Sequence, residues 1–191
     1  MLFTEVIPKA QQKIDGYEHY LNFNFTDSNL GSSGIRGVVI YVKESISCKE
    51  VTPSAIYKDN VWVELSQGKN DSLLCGCMYR SPTKDKDDIK KTTDNVCKVK
   101  KEMSDQGKPI LLCGDFNYPE IDWNNEYVND ANIIISPLLD TLQCSHLHQH
   151  IFKPTHHRVG NEPSLLDLII TNEEGMIREL HHKPGLGESD H

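Results

Sequence analysis

No apolar stretch in this sequence approaches the roughly 20 residues that a bilayer-crossing helix requires, so a membrane-spanning protein is not expected. The N-terminus, Met1-Leu-Phe-Thr-Glu-Val-Ile-Pro8, lacks the basic start and long apolar stretch of a secretory signal. There is no Cys-x-x-Cys pair among the six cysteines, at positions 48, 75, 77, 97, 113 and 144. A chain this long has no need of disulfide staples, so reduced core thiols in an intracellular protein are expected. Basic residues are outnumbered, with 20 Lys and Arg against 28 Asp and Glu and a net charge of −8. That argues against a protein that coats nucleic acid through a basic surface. It leaves room for an enzyme that meets phosphates locally with a metal supplying the positive charge. Internal repeats, low-complexity tracts and domain linkers are also missing.

What is present suits one domain over residues 1–191, with 37% hydrophobic and 25% charged residues. The opening residues 1–8 read as the interior of a strand, and the domain is expected to begin earlier in a parent chain. Residues 35–43, rich in β-branched and aromatic side chains after a Gly-Ser-Ser-Gly loop, read as a strand. Residues 60–65 and 72–79 read as two more strands, joined by a hairpin turn over 66–71. From Asp87 the period lengthens. Ile89, Val96, Val99 and Met103 share one helical face, with Asp87 or Asp88 as cap and Gly107 and Pro109 as stops. Residues 110–113 form the next strand, and residues 136–142 a short helix with Ser136 as cap and Pro137 at its first position. Residues 165–171 read as a buried strand carrying one acid, and 177–182 as a further strand. Strands in pairs with helices interposed favour a mixed α/β fold of packed layers.

Three acids stand at strand tips or inside strands: Glu5, Asp115 and Asp167. An ionised carboxylate in an apolar strand is costly unless it is paired, hydrogen-bonded or bound to metal. Each alone reads as a tip facing water or an acid held by backbone amides; all three together make that reading weaker. Gly114-Asp-Phe-Asn117 adds a carboxamide two residues after a carboxylate. Ser189-Asp-His191 sets an acid beside an imidazole, which favours the charged ring near neutral pH. Either tripeptide or tetrapeptide alone is a weak signal, and Tyr79-Arg-Ser-Pro82 alone is an ordinary strand end and turn. His146, His148 and His150 alternate and could share one face of an extended segment around zinc, but no Cys or acid at ligand spacing completes such a site.

Taken in order, Phe3-Thr-Glu5, Arg36-Gly-Val-Val-Ile-Tyr41, Met78-Tyr-Arg-Ser-Pro82, Gly114-Asp-Phe-Asn117, Ser164-Leu-Leu-Asp-Leu168 and Ser189-Asp-His191 resemble the endonuclease/exonuclease/phosphatase superfamily. Lys153-Pro-Thr155 followed by residues 164–171 is similar to a stretch typical of the endonuclease domains of non-LTR retrotransposons. The resemblance implies a four-layer α/β sandwich, two sheets face to face with helices outside, and a site at one edge. It implies Mg2+-dependent hydrolysis of a phosphate ester, with Mn2+ as the alternative ion. Glu5 would be the principal metal ligand, with Asp190 near the metal. Asp115 would orient or deprotonate the attacking water, and Asn117 would hold Asp115 and a phosphate oxygen. His191 would contact the phosphate, Asp167 would orient His191, and Tyr79 would donate to a phosphate oxygen.

Against the family pattern, the chain starts after a first strand that carries an active-site Asn, and it stops at His191 without a terminal segment. The resemblance therefore implies a domain truncated at both ends. The leading expectation is a retrotransposon-type endonuclease that nicks DNA, fused in its parent element to a reverse transcriptase and acting in the nucleus. The alternatives are an inactive remnant of the fold and a phosphoesterase of the same superfamily acting on small phosphorylated molecules.

Overall fold

Apolar runs become strands according to how many of their faces are covered. In the computed structural model, which describes residues 2–6, 17–23 and 37–183 apart from positions 56, 58, 67, 69, 70, 84, 159 and 161, two sheets face one another. The smaller sheet joins β1 (Leu2–Val6), β2 (Tyr17–Phe23) and β3 (Gly37–Lys43) in the order β1-β3-β2, all antiparallel. β3 is its centre, and every residue from Gly37 to Val42 is buried.

The larger sheet contains β4 (Cys48–Val51), β5 (Asn60–Ser66), β6 (Ser72–Tyr79), β7 (Ile110–Asp115), β10 (His148–Gln149) and β11 (Asp167–Thr171). Its order is β10-β11-β7-β6-β5-β4. The β5–β6 hairpin closes from Ser66 opposite Ser72, as its polar turn predicts. Among the described strands only β6 and β7 run parallel, and a parallel pair needs a long crossover. Helix α1 (Lys86–Ser104) supplies it. A small hairpin of β8 (Ile121–Asp122) and β9 (Tyr127–Val128) and helix α2 (Ser136–Cys144) fill the connection from β7 to β10.

Two cores follow from the alternation of side chains across the large sheet. On its inner face Val61, Val63, Cys75, Cys77 and Tyr79 meet Val38, Ile40 and Val42 of the small sheet. On its outer face Leu74, Met78, Leu112, Leu168 and Ile170 meet Val96, Val99 and Met103 of α1 and Leu138, Leu139 and Leu142 of α2. The buried stripe of α1, Thr93, Val96, Val99, Lys100 and Met103, has the spacing of one helical face. Gly76 sits in mid-strand because the Trp62 ring lies over it; a Cβ there would meet the ring at 2.6 Å. All six cysteines are free thiols, and burial pushes Cys75 up to about 11 and Cys113 up to about 12, which leaves them inert at neutral pH.

The mixed α/β sandwich of two sheets and flanking helices is the expected fold. The outer helical layer beyond the small sheet has no counterpart among the described residues. Several local expectations are corrected. The cap of α1 is Asp85, whose carboxylate accepts from the Asp88 amide at 2.9 Å, so Asp87 and Asp88 lie inside the first turn. α2 has no side-chain cap: a 3-10 segment, Asp130–Ile135, runs into it and its N-cap is Ile135 rather than Ser136. β7 continues through Asp115 because its neighbours on both sides still pair there. β11 begins at Asp167, so that acid opens the strand instead of interrupting it. Residues 177–182 are not a strand; they pair with nothing described and follow a 3-10 turn, Glu174–Met176. β2 and β4 were not legible in advance, being short or charged segments that become strands by pairing with β3 and β5. Among the described residues no helix is long and apolar enough to cross a membrane.

Candidate active site

The parallel strands β6 and β7 end in register, Tyr79 beside Asp115, and antiparallel β11 begins with Asp167 opposite the same Asp115. Partners in register point to the same face, so three polar side chains from distant segments form one row across the sheet. Tyr79 and Asp115 are buried and Asp167 is half-buried. One row deeper on that face, Cys77, Cys113 and Ile169 join Ile151 and Asp167 around a concavity of about 320 Å3.

The turn after the row is built by its backbone. Gly114 has φ +152°, and a Cβ there would lie 1.8 Å from the Met78 carbonyl oxygen, so no other residue fits. Asn117 is left-handed at φ +48°, a conformation that Asn tolerates better than most side chains. Its backbone N–H donates to Asp115 Oδ1 at 3.0 Å, and its Nδ2 donates to Asp115 Oδ2 at 2.8 Å and to the Arg80 carbonyl at 2.9 Å. Both carboxylate oxygens of a buried acid are thereby satisfied, which offsets its desolvation.

Neighbouring segments lock this turn in place. The Arg80 amide donates to the Asp115 carbonyl at 2.9 Å, and the Phe116 amide to the Leu166 carbonyl at 2.8 Å. Thr155 Oγ1 accepts from the amides of Leu166 at 3.2 Å and Asp167 at 3.0 Å, so the Lys-Pro-Thr segment fixes the mouth of β11. The Arg80 guanidinium donates to the Asn117 carbonyl and lies 4.1 Å from the centre of the Tyr118 ring. Tyr118 Oη and Thr93 Oγ1 share a hydrogen bond of 2.9 Å, and Tyr57 Oη donates to the Tyr79 carbonyl. Burial raises Tyr57 well above the usual phenol value and pushes Tyr118 up to about 12, so both hydroxyls keep their protons at neutral pH.

The remaining expected residues are placed less completely. Glu5 lies on β1, in the irregular stretch between the pairs Phe3–Val39 and Val6–Gly37. That strand runs against β6 and β7, and such irregularities are frequent beside active sites. The Glu5 side chain, and Asp190 and His191 altogether, lie outside the described residues. The alternating histidines do not converge: His146 is exposed, and His150 Nε2 is bonded to Thr171 Oγ1 at 2.7 Å. Burial, with His148 adding to it, lowers the His150 pKa and keeps that ring neutral. Among the described residues no group of three His, Cys, Asp or Glu side chains is arranged to hold a metal. The structural parts of Arg80 and Thr155 were missed from sequence. Each stood inside a quoted motif, yet only the fold reveals what its side chain touches.

Known structures share this architecture. The endonuclease domain of TRAS1, a telomere-specific non-LTR retrotransposon, aligns with a TM-score of 0.55 at 15% identity, over 88% of this chain and 70% of that one. An AP endonuclease from Archaeoglobus fulgidus aligns with a TM-score of 0.59 at 11% identity, over 90% and 75% of the two chains. The catalytic domain of Xenopus laevis APE2 aligns with a TM-score of 0.56 at 13% identity, over 88% and 70%. At identities this low the likeness establishes the fold alone. No curated protein matches the chain significantly by sequence. The profile of the family described as endonuclease-reverse transcriptase matches residues 73–191, which carry the whole row of Tyr79, Asp115 and Asp167. The chain belongs to that family, and its fold is that of the endonuclease/exonuclease/phosphatase superfamily.

Proposed function

We propose that this protein is a divalent-metal-dependent phosphodiesterase that nicks DNA, of the retrotransposon endonuclease type. The observation that carries the reading is the row of Tyr79, Asp115 and Asp167, with Asn117 gripping both oxygens of Asp115. Support comes from the family match and from a fold shared with the TRAS1 endonuclease domain, an AP endonuclease and the APE2 catalytic domain.

The donor chemistry fits a hard cation. Asp115 and Asp167 bring carboxylate oxygens to one rim, and the strand carrying Glu5 passes against β6 and β7. Oxygen donors of this kind suit Mg2+, with Mn2+ able to replace it. Glu5 and Asp190 would hold the ion, which when bound supplies charge stabilisation to the phosphate. Asp115 orients the attacking water and takes its proton. Asn117 fixes the direction of that carboxylate; both hydrogens of its Nδ2 are engaged by Asp115 and the Arg80 carbonyl, so its task is to hold Asp115 rather than the phosphate. Tyr79 and a protonated His191 donate to phosphate oxygens, and Asp167 orients His191. A family description that pairs endonuclease with reverse transcriptase supports a parent polypeptide that also polymerises.

The test is conversion of supercoiled plasmid to the nicked circle in Mg2+ or Mn2+. Removing a general base typically lowers the rate by about 100- to 10,000-fold, the range expected for Asp115→Ala. Losing a donor to the transition state typically costs about 100- to 1,000-fold, the range expected for His191→Ala. Intact plasmid under both ions would overturn the reading. If an inositol phosphate were then hydrolysed, the small-molecule phosphoesterase would replace it; if neither substrate reacted, the inactive remnant would.

A further inference from the structure

An arginine one residue from a candidate phosphate-cleaving site would ordinarily be taken as a phosphate ligand. The surroundings of Arg80 argue otherwise. The residue is 4% exposed. Its guanidinium donates inward to the Asn117 carbonyl and stacks 4.1 Å from the Tyr118 ring. Its backbone closes two further bonds with the same turn, N–H to the Asp115 carbonyl and carbonyl to Asn117 Nδ2, both at 2.9 Å. Tyr118 is itself anchored to α1 through Thr93. One guanidinium nitrogen, Nη1, donates to a carbonyl whose residue sits in the left-handed region, while Nε is buried without a hydrogen-bond partner.

We propose that Arg80 is a positioning residue: by clasping the Asn117 carbonyl it stabilises the left-handed turn that aims the Asp115 carboxylate, and it does not bind the phosphate. This rests on the function proposed above for Asp115. It adds a residue that acts through Asn117, with a signature unlike that of a substrate contact. Displacing a reacting group by about an ångström can lower a rate 100-fold, whereas losing a phosphate ligand weakens DNA binding and flattens its dependence on salt.

The experiment compares wild type with Arg80→Lys, Arg80→Met and Tyr118→Leu, the last keeping the guanidinium but removing its stacking face. Plasmid nicking gives kcat, KM and the salt dependence of KM, and NMR gives the solvent exchange of the Asn117 side-chain amide. For Arg80→Met, kcat is expected to fall about 100-fold while KM stays within about twofold and keeps its salt dependence. Arg80→Lys and Tyr118→Leu should fall between that variant and wild type, and Asn117 exchange should quicken in all three. A raised KM with a shallower salt dependence and an unchanged kcat would make Arg80 a phosphate ligand and overturn the proposal. So would unchanged Asn117 exchange in Arg80→Lys and Tyr118→Leu, the two variants that decide the matter if Arg80→Met does not fold. Should wild type leave plasmid intact, the nuclease reading fails by itself, and the exchange measurement still decides whether the clasp exists.

Discussion

Among the described residues two cations are buried, and they sit against aromatic rings two residues apart in the same loop. Arg80 is 4% exposed beside Tyr118, and Lys100 is 1% exposed beside Phe116. Their surroundings differ. Arg80 Nη1 reaches a carbonyl and the guanidinium stacks at 4.1 Å, leaving only Nε without a hydrogen-bond partner, whereas Lys100 Nζ lies 5.7 Å from its ring with no hydrogen-bond partner at all. Burial pushes Lys100 down to about 8. Arg80 stands at the strand ends where polar groups gather, and Lys100 on the helix face that packs the outer core. Burial of charge is therefore not a functional signal by itself. What separates the two is whether the fold supplies the cation with a hydrogen-bond acceptor and a close aromatic face.

The severest way to break the comparison is to take apart the strand junction on which Arg80 depends. Gly114→Ala would drive a Cβ to 1.8 Å from the Met78 carbonyl at a φ of +152°. Overpacking and strain together should cost on the order of 4 kcal/mol in urea unfolding, and a change near zero would mean that β6 and β7 can separate freely.

Lys100→Met comes next and should act in the opposite direction. With a folded value of about 8 against an ordinary 10.5, the ammonium destabilises the fold at pH 7 by about 3 kcal/mol, which the substitution should recover. Below pH 8 the wild-type amine is charged whether folded or unfolded, and the full penalty applies. As pH rises from 8 to 10.5 the folded amine loses its proton first, so the penalty shrinks and the advantage of Lys100→Met should vanish. An advantage independent of pH would refute the burial argument.

Arg80→Met should instead destabilise, by about 1–3 kcal/mol, because the Asn117 carbonyl loses its donor. If both methionine variants moved stability in the same direction, the distinction between the two cations would be lost. The smallest effect expected is that of Thr93→Val, about 1 kcal/mol for one buried hydroxyl pair. A calorimetric midpoint identical to wild type would place the Thr93 link outside the clasp.

Much of the architecture was legible because it follows from periodicity. The stripe of α1 from Val96 to Met103 and the hairpin from Asn60 to Tyr79 need only local spacing to be read. Charged β4 and the short β10 were not legible, since their hydrogen-bonding partners lie on other segments. The expected strand over 177–182 failed for the converse reason: the segment has no pairing partner among the described residues, and without one it does not become a strand. At the site, Gly114-Asp-Phe-Asn117 could be read as a carboxylate and its carboxamide, but the hold of Thr155 on the Asp167 amide could not. That bond joins residues 12 apart through a loop whose course no local rule fixes.

The sequence alone determined the layered α/β class, the family, and the three segments that end or begin in polar residues, because propensity, alternation and motif order are properties of neighbours along the chain. Only the tertiary structure decided that Tyr79, Asp115 and Asp167 share one row and that Arg80 faces inward to Asn117. Register between strands is set by packing and hydrogen bonds summed over the whole sheet, and shifting it by one residue would turn each of those side chains to the opposite face.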